Sequence, residues 1–150
     1  MVSERAYLSL EVRLLSAPKA GEKLHFRCTI LNAGKSTATD VQARFNFIAS
    51  LRGDVGEEKA YQAAQAYKQD PFTSTSVLAA GQPAELIYDS PAPVDEPTVS
   101  DFSTKKTVIY AFLRVTYKDL FNREHVALAC ERYDPDGQRM VNCSALTKAD

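Results

Sequence analysis

A strict alternation of apolar and polar side chains runs through the stretch Leu24-His25-Phe26-Arg27-Cys28-Thr29-Ile30. Successive side chains of a β-strand point to opposite faces, so the four apolar residues share one face and the three polar residues share the other. A strand of this kind buries one face and leaves the other in contact with water. The stretch therefore predicts a half-buried strand of an antiparallel sheet.

The same period of two continues on both sides of this strand. Apolar positions alternate through residues 6–14 before it, and through residues 41–47 after a turn at residues 32–36. Further strands are predicted at residues 76–80, 84–89, 106–117 and 123–132, of which 106–117 is apolar on both faces, as a central strand is. About seven short strands separated by turns predict an all-β fold, an immunoglobulin-like antiparallel two-sheet sandwich that forms a single domain over residues 1–150.

The apolar half of each alternation predicts the core, because a slip of one residue would expose the whole set. The expected core side chains are Leu8, Leu10, Val12, Leu24, Phe26, Ile30, Val41, Phe45, Phe47, Ile109, Leu113, Val115, Val126 and Leu128.

In one segment the apolar residues no longer recur at every second position. Ala60, Ala63, Ala64 and Tyr67 instead have the spacing of residues on one face of a helix. Asp54 and Glu57 have the spacing of a capping box, and Asp70-Pro71 suits the end of a helix. We expect one short inserted helix at about residues 55–69.

Composition and motifs exclude several classes of function. The chain has 150 residues with 18 Lys plus Arg, 19 Asp plus Glu and a net charge of −1. It therefore lacks the excess of positive charge that proteins use to bind the phosphate backbone of nucleic acids. Its apolar runs are too short for a membrane-spanning helix, and its first residues are not a signal peptide. It carries no glycine-rich phosphate loop, nucleophile elbow or metal-ligand motif. We expect no enzyme activity, no catalytic residues, no metal, no cofactor and no nucleic-acid partner, and His25 and His125 as ordinary surface residues.

The outward face of the central sheet is the candidate binding surface. An immunoglobulin-like order places the third strand beside the last two long strands, so one face would hold Arg44, Asn46, Tyr110, Phe112, Arg114 and His125. Aromatic rings and arginine are enriched at protein interfaces, so Arg44, Tyr110, Phe112 and Arg114 are candidate binding residues. In the alternative, the alanine stripe of the helix covers Tyr110 and Phe112. We favour this alternative, because a short helix is marginal in water without an apolar surface to dock on.

Two turn geometries are open for Asp134-Pro135-Asp136-Gly137. A three-residue loop with a bulge pairs Asp134 with Gln138 and places Cys130 opposite Asn142, whereas a two-residue turn places Cys130 opposite Cys143. The second register permits a disulfide in an oxidising compartment. Cys28, on the inward face of its strand, is expected to be a free buried thiol.

Three parts of the chain resemble a group of uncharacterised bacterial membrane-anchored proteins. They are Glu4-Arg5-Ala6-Tyr7-Leu8, the segment Tyr117–His125, and Cys130–Gly137 followed by Cys143. Members of this group have an Arg-Ala-Tyr start after a membrane anchor, a soluble immunoglobulin-like domain and often two cysteines at the last positions, and Asn122 stands where they commonly have glycine. The resemblance implies an anchor upstream of Met1 and a domain outside the cytoplasm.

Two functions follow as hypotheses. The first is a non-enzymatic interaction or adhesion module that is tethered at the bacterial cell envelope and binds a protein partner. The alternative is a small-ligand or carbohydrate-binding sandwich, whose groove would need an aromatic ring and carboxylates from the proline-rich loop at residues 91–101.

Overall fold

The computed structural model describes residues 5–50, 53–66, 72–143 and 148–149, of which residues 53–55, 63–66, 72–76 and 148–149 are described by their backbone alone. Within these ranges, neither helix has the length and apolar character required to cross a bilayer.

Strands dominate the described part of the chain. In chain order the elements are β1 Leu8–Leu14, β2 His25–Asn32, β3 Ala38–Ser50, α1 Gly53–Ala66, β4 Phe72–Leu78, β5 Pro83–Asp89, α2 Glu96–Ser103, β6 Val108–Lys118, β7 Glu124–Asp134, β8 Arg139–Asn142 and β9 Lys148–Ala149. One sheet has the order β1-β2-β5, and the other has the order β4-β3-β6-β7-β8, with β9 paired to β7. All pairs are antiparallel.

This arrangement confirms the predicted all-β sandwich. Apolar side chains of both sheets form one core cluster. The third strand lies beside β6, and β6 lies beside β7, as in the predicted order. The fourth strand pairs with β3 rather than with β5, so it extends the sheet that also gains strands in variable-type immunoglobulin domains.

A second helix replaces part of the predicted proline-rich loop. The Asp95 side chain caps α2 by accepting a hydrogen bond from Thr98 N at 2.9 Å, and Pro97 lies in the first turn, where the absent N–H costs nothing. Phe102 of this helix is buried in the core. The proline-rich segment therefore leads into a helix that contributes Phe102 to the core.

Most of the predicted core is confirmed. Ten of the predicted side chains are at most 4% exposed: Leu8, Val12, Leu24, Phe26, Ile30, Val41, Phe45, Ile109, Leu113 and Val115. Leu10 and Phe47 are partly buried and pack against the same cluster.

The prediction for β7 is wrong by one residue. Ala127 and Ala129 face the core, opposite Val115 and Leu113 of β6, whereas Val126 and Leu128 lie on the outward face and are half-buried. Large side chains on the neighbouring strand and on the facing sheet already fill the space, so small alanines complete the packing.

The same shift corrects the position of His125. It pairs with Tyr117 on the inward side of the sheet, stacks on that ring at 5.2 Å between centroids and is 7% exposed. It is therefore a buried histidine and not a member of the outward face. His25 does lie half-exposed, and its Nδ1 is 2.6 Å from Asp89 Oδ1.

The inserted helix docks on the outward face of the larger sheet. Ala60 of α1 is 1% exposed and shares a cluster with Tyr110 and Phe112, and the rings of Tyr61 and Phe112 lie 5.7 Å apart. The favoured interpretation of the sequence is thus confirmed. The side chains of Ala63, Ala64 and Tyr67, and the predicted helix end at residues 70–71, lie outside the described residues.

The predicted capping box is wrong, because α1 begins at Gly53, one residue before Asp54. Glu57 lies within α1 and is 3% exposed, on the buried side of the helix.

Changing Ala60 to aspartate is expected to lower the free energy of unfolding by about 2–4 kcal/mol, because it buries a charge in an apolar cluster. Gln62→Asp, on the exposed side of the same helix, is the matched control and should have little effect. Urea denaturation of both variants checks this. Equal stability of the Ala60 variant and the wild type would show that the helix does not belong to the cooperative fold.

Candidate functional site

The four candidate binding residues lie on one face of the larger sheet, as predicted. Arg44 lies directly opposite Arg114 across β3 and β6, and Tyr110 and Phe112 follow on the same side of β6. Helix α1 covers Tyr110 and Phe112, which are 1% and 5% exposed, so these two rings cannot contact a partner while the helix is docked. In this structure Tyr110 and Phe112 form the surface on which the helix packs.

The uncovered half of this face begins at the two arginines. Both side chains are exposed, and neither forms an ion pair with another residue in the described ranges. Like charges directly opposite each other on a sheet repel, so this pair does not serve the stability of the domain.

A shallow groove of about 220 Å³ runs from Arg114 toward the β6–β7 turn. Asp40, Lys118 and Glu124 contribute to its lining, with Lys118 Nζ 3.5 Å from Asp40 Oδ2. Charges of both signs therefore lie along the groove. It ends where β6 turns into β7.

The β6–β7 turn exposes two large apolar side chains side by side. Leu120 is 71% exposed and Phe121 is 67% exposed, and the guanidinium carbon of Arg123 lies 5.0 Å from the centroid of the Phe121 ring. We call residues 120–123 the hairpin tip. The sequence contains a signal for it, since two bulky apolar residues stand in a turn between two predicted strands, but alternation alone predicts no function for a turn.

Asp119 holds the hairpin tip in one conformation. Its Oδ1 accepts hydrogen bonds from Phe121 N at 2.8 Å and Arg123 N at 3.0 Å, while its Oδ2 accepts one from His125 Nε2 at 2.7 Å. The Asp119 carboxylate is fully buried. A side chain that satisfies two backbone N–H groups of a turn fixes the turn without help from a partner.

The backbone of the turn explains why asparagine stands at position 122. Asn122 N donates to Asp119 O at 3.0 Å, and Asn122 has a φ of 62°, the left-handed conformation that follows a type I turn in a three-residue hairpin loop. Glycine and asparagine tolerate this conformation best. The bulged geometry that the sequence suggested for residues 134–138 thus occurs here instead.

The hairpin tip is expected to keep its structure in acid to about pH 2. The hydrogen bond from His125 is the main reason that the pKa of Asp119 falls from 3.8 to about 2. Because the folded-state pKa is lowered, the stabilisation is present above pH 3.8 and is lost as the pH falls from there to about 2.

NMR titration of the Phe121 and Arg123 amides between pH 5 and pH 1.5 checks this, with a midpoint expected near 2. Asp119→Asn should remove the transition, and Glu124→Gln on the same hairpin should leave it in place. A midpoint near 4 in the wild type would contradict the assignment.

A second cleft, of about 470 Å³, lies between the edges of the two sheets. Residues 11–14 of β1, Glu131 and residues 138–140 line it. Glu131 accepts a hydrogen bond from Val12 N at 2.7 Å and so covers part of the open edge of β1, while burial raises its pKa to about 7. No aromatic ring is among these described lining residues, so the cleft lacks the surface that the carbohydrate hypothesis needs.

The β7–β8 hairpin brings two cysteines together. Asp134 pairs with Arg139, so the four-residue loop 135–138 joins the strands and the bulged register is wrong. Cys130 lies opposite Cys143 and forms a disulfide with it, with 5.4 Å between the two Cα atoms. Cys28 is a free buried thiol, as predicted, and burial is the main reason that its pKa is raised to about 12.

Comparison with protein-family models, curated proteins and solved structures found no match to the chain, so the functional argument rests on this geometry.

Proposed function

We propose that the chain is a non-enzymatic interaction module that binds a protein partner through the hairpin tip. The observation that carries the proposal is the exposure of Leu120 and Phe121 on a turn whose backbone is already fixed by Asp119. A preorganised loop loses little conformational entropy on binding, and a stacked phenylalanine and arginine are residues of the kind that interfaces enrich. The partner surface that fits is an apolar pocket with an acidic group at its rim for Arg123.

The open arginine pair enlarges this site. Arg114 lines the far end of the groove that leads to the hairpin tip, and Arg44 lies directly opposite Arg114, so one partner could contact the arginine pair and the hairpin tip. The groove is lined by Arg114 and Lys118 together with Asp40 and Glu124. Such mixed charge favours a protein surface over an anionic membrane, which basic clusters recognise.

We further propose that the module acts outside the cytoplasm of a bacterium and is tethered to its membrane. The Cys130–Cys143 disulfide supports an oxidising compartment. The tether follows from the resemblance of the Arg5-Ala6-Tyr7 start to membrane-anchored proteins. β1 enters the domain at the end that carries the hairpin tip. A membrane tether before β1 would bring the hairpin tip close to lipid, so an experiment has to distinguish lipid from a protein partner.

The test uses peptides selected from a random phage-displayed library on the wild-type domain. Peptide affinity should fall at least 10-fold in the double variant Leu120→Ser/Phe121→Ser, and chemical shifts should map to the hairpin tip. Ile87→Ser is the matched control, since Ile87 is 55% exposed on the other sheet. Peptides that bind both variants equally well, or the absence of any tip-dependent peptide, would contradict the proposal.

Two further measurements separate other occupants of the same surface. Cosedimentation with neutral and anionic phospholipid vesicles that is lost in the double variant would assign the hairpin tip to lipid. Sedimentation velocity that shows a dimer lost in the double variant would make the partner a second copy of this chain. Either result would overturn the proposal of a different protein as partner.

A further inference from the structure

A buried cluster of one carboxylate and two sulfur atoms lies beneath helix α1. Glu57 comes from the helix, Cys130 from β7 and Cys143 from the end of β8, and they are 3%, 0% and 8% exposed. A carboxylate oxygen and the two sulfur atoms all lie within 4.8 Å of one another. These three residue types are ligands of zinc in proteins.

The two sulfur atoms are joined in the oxidised protein, and the disulfide ties β8 to β7. Cys143 N also donates a hydrogen bond to Cys130 O at 2.9 Å, so the backbone keeps the two residues opposite each other independently of the S–S bond. β8 is a four-residue edge strand whose ends are exposed. A short edge strand of this kind opens easily and gives a reductant access to the disulfide.

We propose that the chain, before its Cys130–Cys143 disulfide has formed or after the disulfide has been reduced, holds Zn²⁺ with Cys130, Cys143 and Glu57 as three protein ligands. A dithiol transfers two electrons and two protons to the S–S bond and is itself oxidised to a disulfide. Binding of Zn²⁺ then releases the two thiol protons to solvent, and two Zn–S bonds form. Three protein ligands leave the fourth tetrahedral position for water.

The chemistry of the three ligands selects the metal. Ala60, Tyr110 and Phe112 belong to the same buried cluster as the two cysteines, and Glu57 is buried beside them. Two thiolates favour a soft borderline metal over calcium or magnesium. The metal would link α1 to the sheet, whereas the disulfide links only β7 and β8.

Cobalt(II) is the probe, because its bonds to thiolate absorb light. The protein is reduced with excess dithiol, freed of reductant in oxygen-free buffer and titrated with Co²⁺. One Co²⁺ per chain with thiolate-to-cobalt absorption is expected in the reduced protein and none in the oxidised protein, and Zn²⁺ should displace it. Equal absorption in both redox states, or none in folded reduced protein, would overturn the proposal.

Three variants assign the ligands. Cys130→Ser should abolish the absorption, and Glu57→Gln should weaken Co²⁺ binding at least 10-fold. Cys28→Ser is the matched control, because Cys28 lies in the core between the two sheets and should not affect binding. Loss of the absorption in Cys28→Ser, or unchanged affinity in Glu57→Gln, would contradict the assignment.

Circular dichroism covers the case in which reduction unfolds the domain. If the reduced protein loses its β-sheet signal, stoichiometric Zn²⁺ should restore it in the wild type and not in Cys130→Ser. Failure of Zn²⁺ to restore the signal in the wild type would count against the site.

Discussion

Replacing Phe45 with alanine is expected to lower the free energy of unfolding by about 3–5 kcal/mol, because the residue joins the two sheets. Its side chain is 1% exposed on β3 of the larger sheet. The ring centroids of Phe26 and Tyr88, both in the smaller sheet, lie 5.1 Å and 5.0 Å away. Truncation removes these contacts and leaves a cavity that the rigid strands cannot fill.

Urea denaturation gives the measurement, and Phe121→Ala gives the control. Phe121 has the same side chain but is 67% exposed, so its truncation should change stability by no more than about 0.5 kcal/mol. A loss of less than about 1 kcal/mol at Phe45 would mean that the sheets do not pack through this ring.

Replacing Asn32 with alanine is expected to cost at least about 3 kcal/mol, since several buried polar groups would lose their partners together. Asn32 is 0% exposed. Its Oδ1 accepts from Gly34 N at 3.0 Å and Tyr7 N at 3.3 Å, and its Nδ2 donates to Ser36 O and Leu78 O, both at 2.9 Å. One side chain thus connects the segment before β1, the β2–β3 turn and the end of β4.

Two further variants make this prediction specific to the amide. Asn32→Asp keeps the size and the acceptor but cannot donate to Ser36 O and Leu78 O, so it should be as damaging as alanine at neutral pH. Asn142→Ala, at an exposed position of β8, should have little effect. Denaturation measures the stability of each variant. If both Asn32 variants are as stable as the wild type, these hydrogen bonds add nothing to the stability of the domain.

The chain also approaches itself closely beside Asn32, which explains the glycine at position 34. A Cβ atom on Gly34 would lie 2.2 Å from Arg5 O and 2.5 Å from Tyr7 N. The backbone there leaves no space for any side chain. The sequence pattern indicated only a turn at Gly34, because the segment that excludes a side chain lies before β1, almost 30 residues earlier in the chain.

The candidate site was accessible to sequence reasoning only in part. The spacing of Arg44, Tyr110, Phe112 and Arg114 placed them correctly on one face, because strand order and a period of two are enough for that. Which half of the face remains open depends on where α1 docks. The hairpin tip depends on the buried Asp119 and His125 pair, and no periodicity places those two side chains in contact.

The sequence by itself determined the class of fold, the strands β1 to β7 and most of the core, but it predicted neither β8 nor β9 as a strand. Alternation is a consequence of backbone geometry, so it can be recognised wherever one face of a strand is apolar and the other is polar, as in residues 24–30. Tertiary structure alone decided the face of β7, where Ala127 and Ala129 point inward and the larger Val126 and Leu128 do not. The space left beside Val115 and Leu113 on neighbouring β6, and the side chains that pack on the far side of the core, decide which face of β7 is buried. The size of that space cannot be read from the sequence of β7 itself.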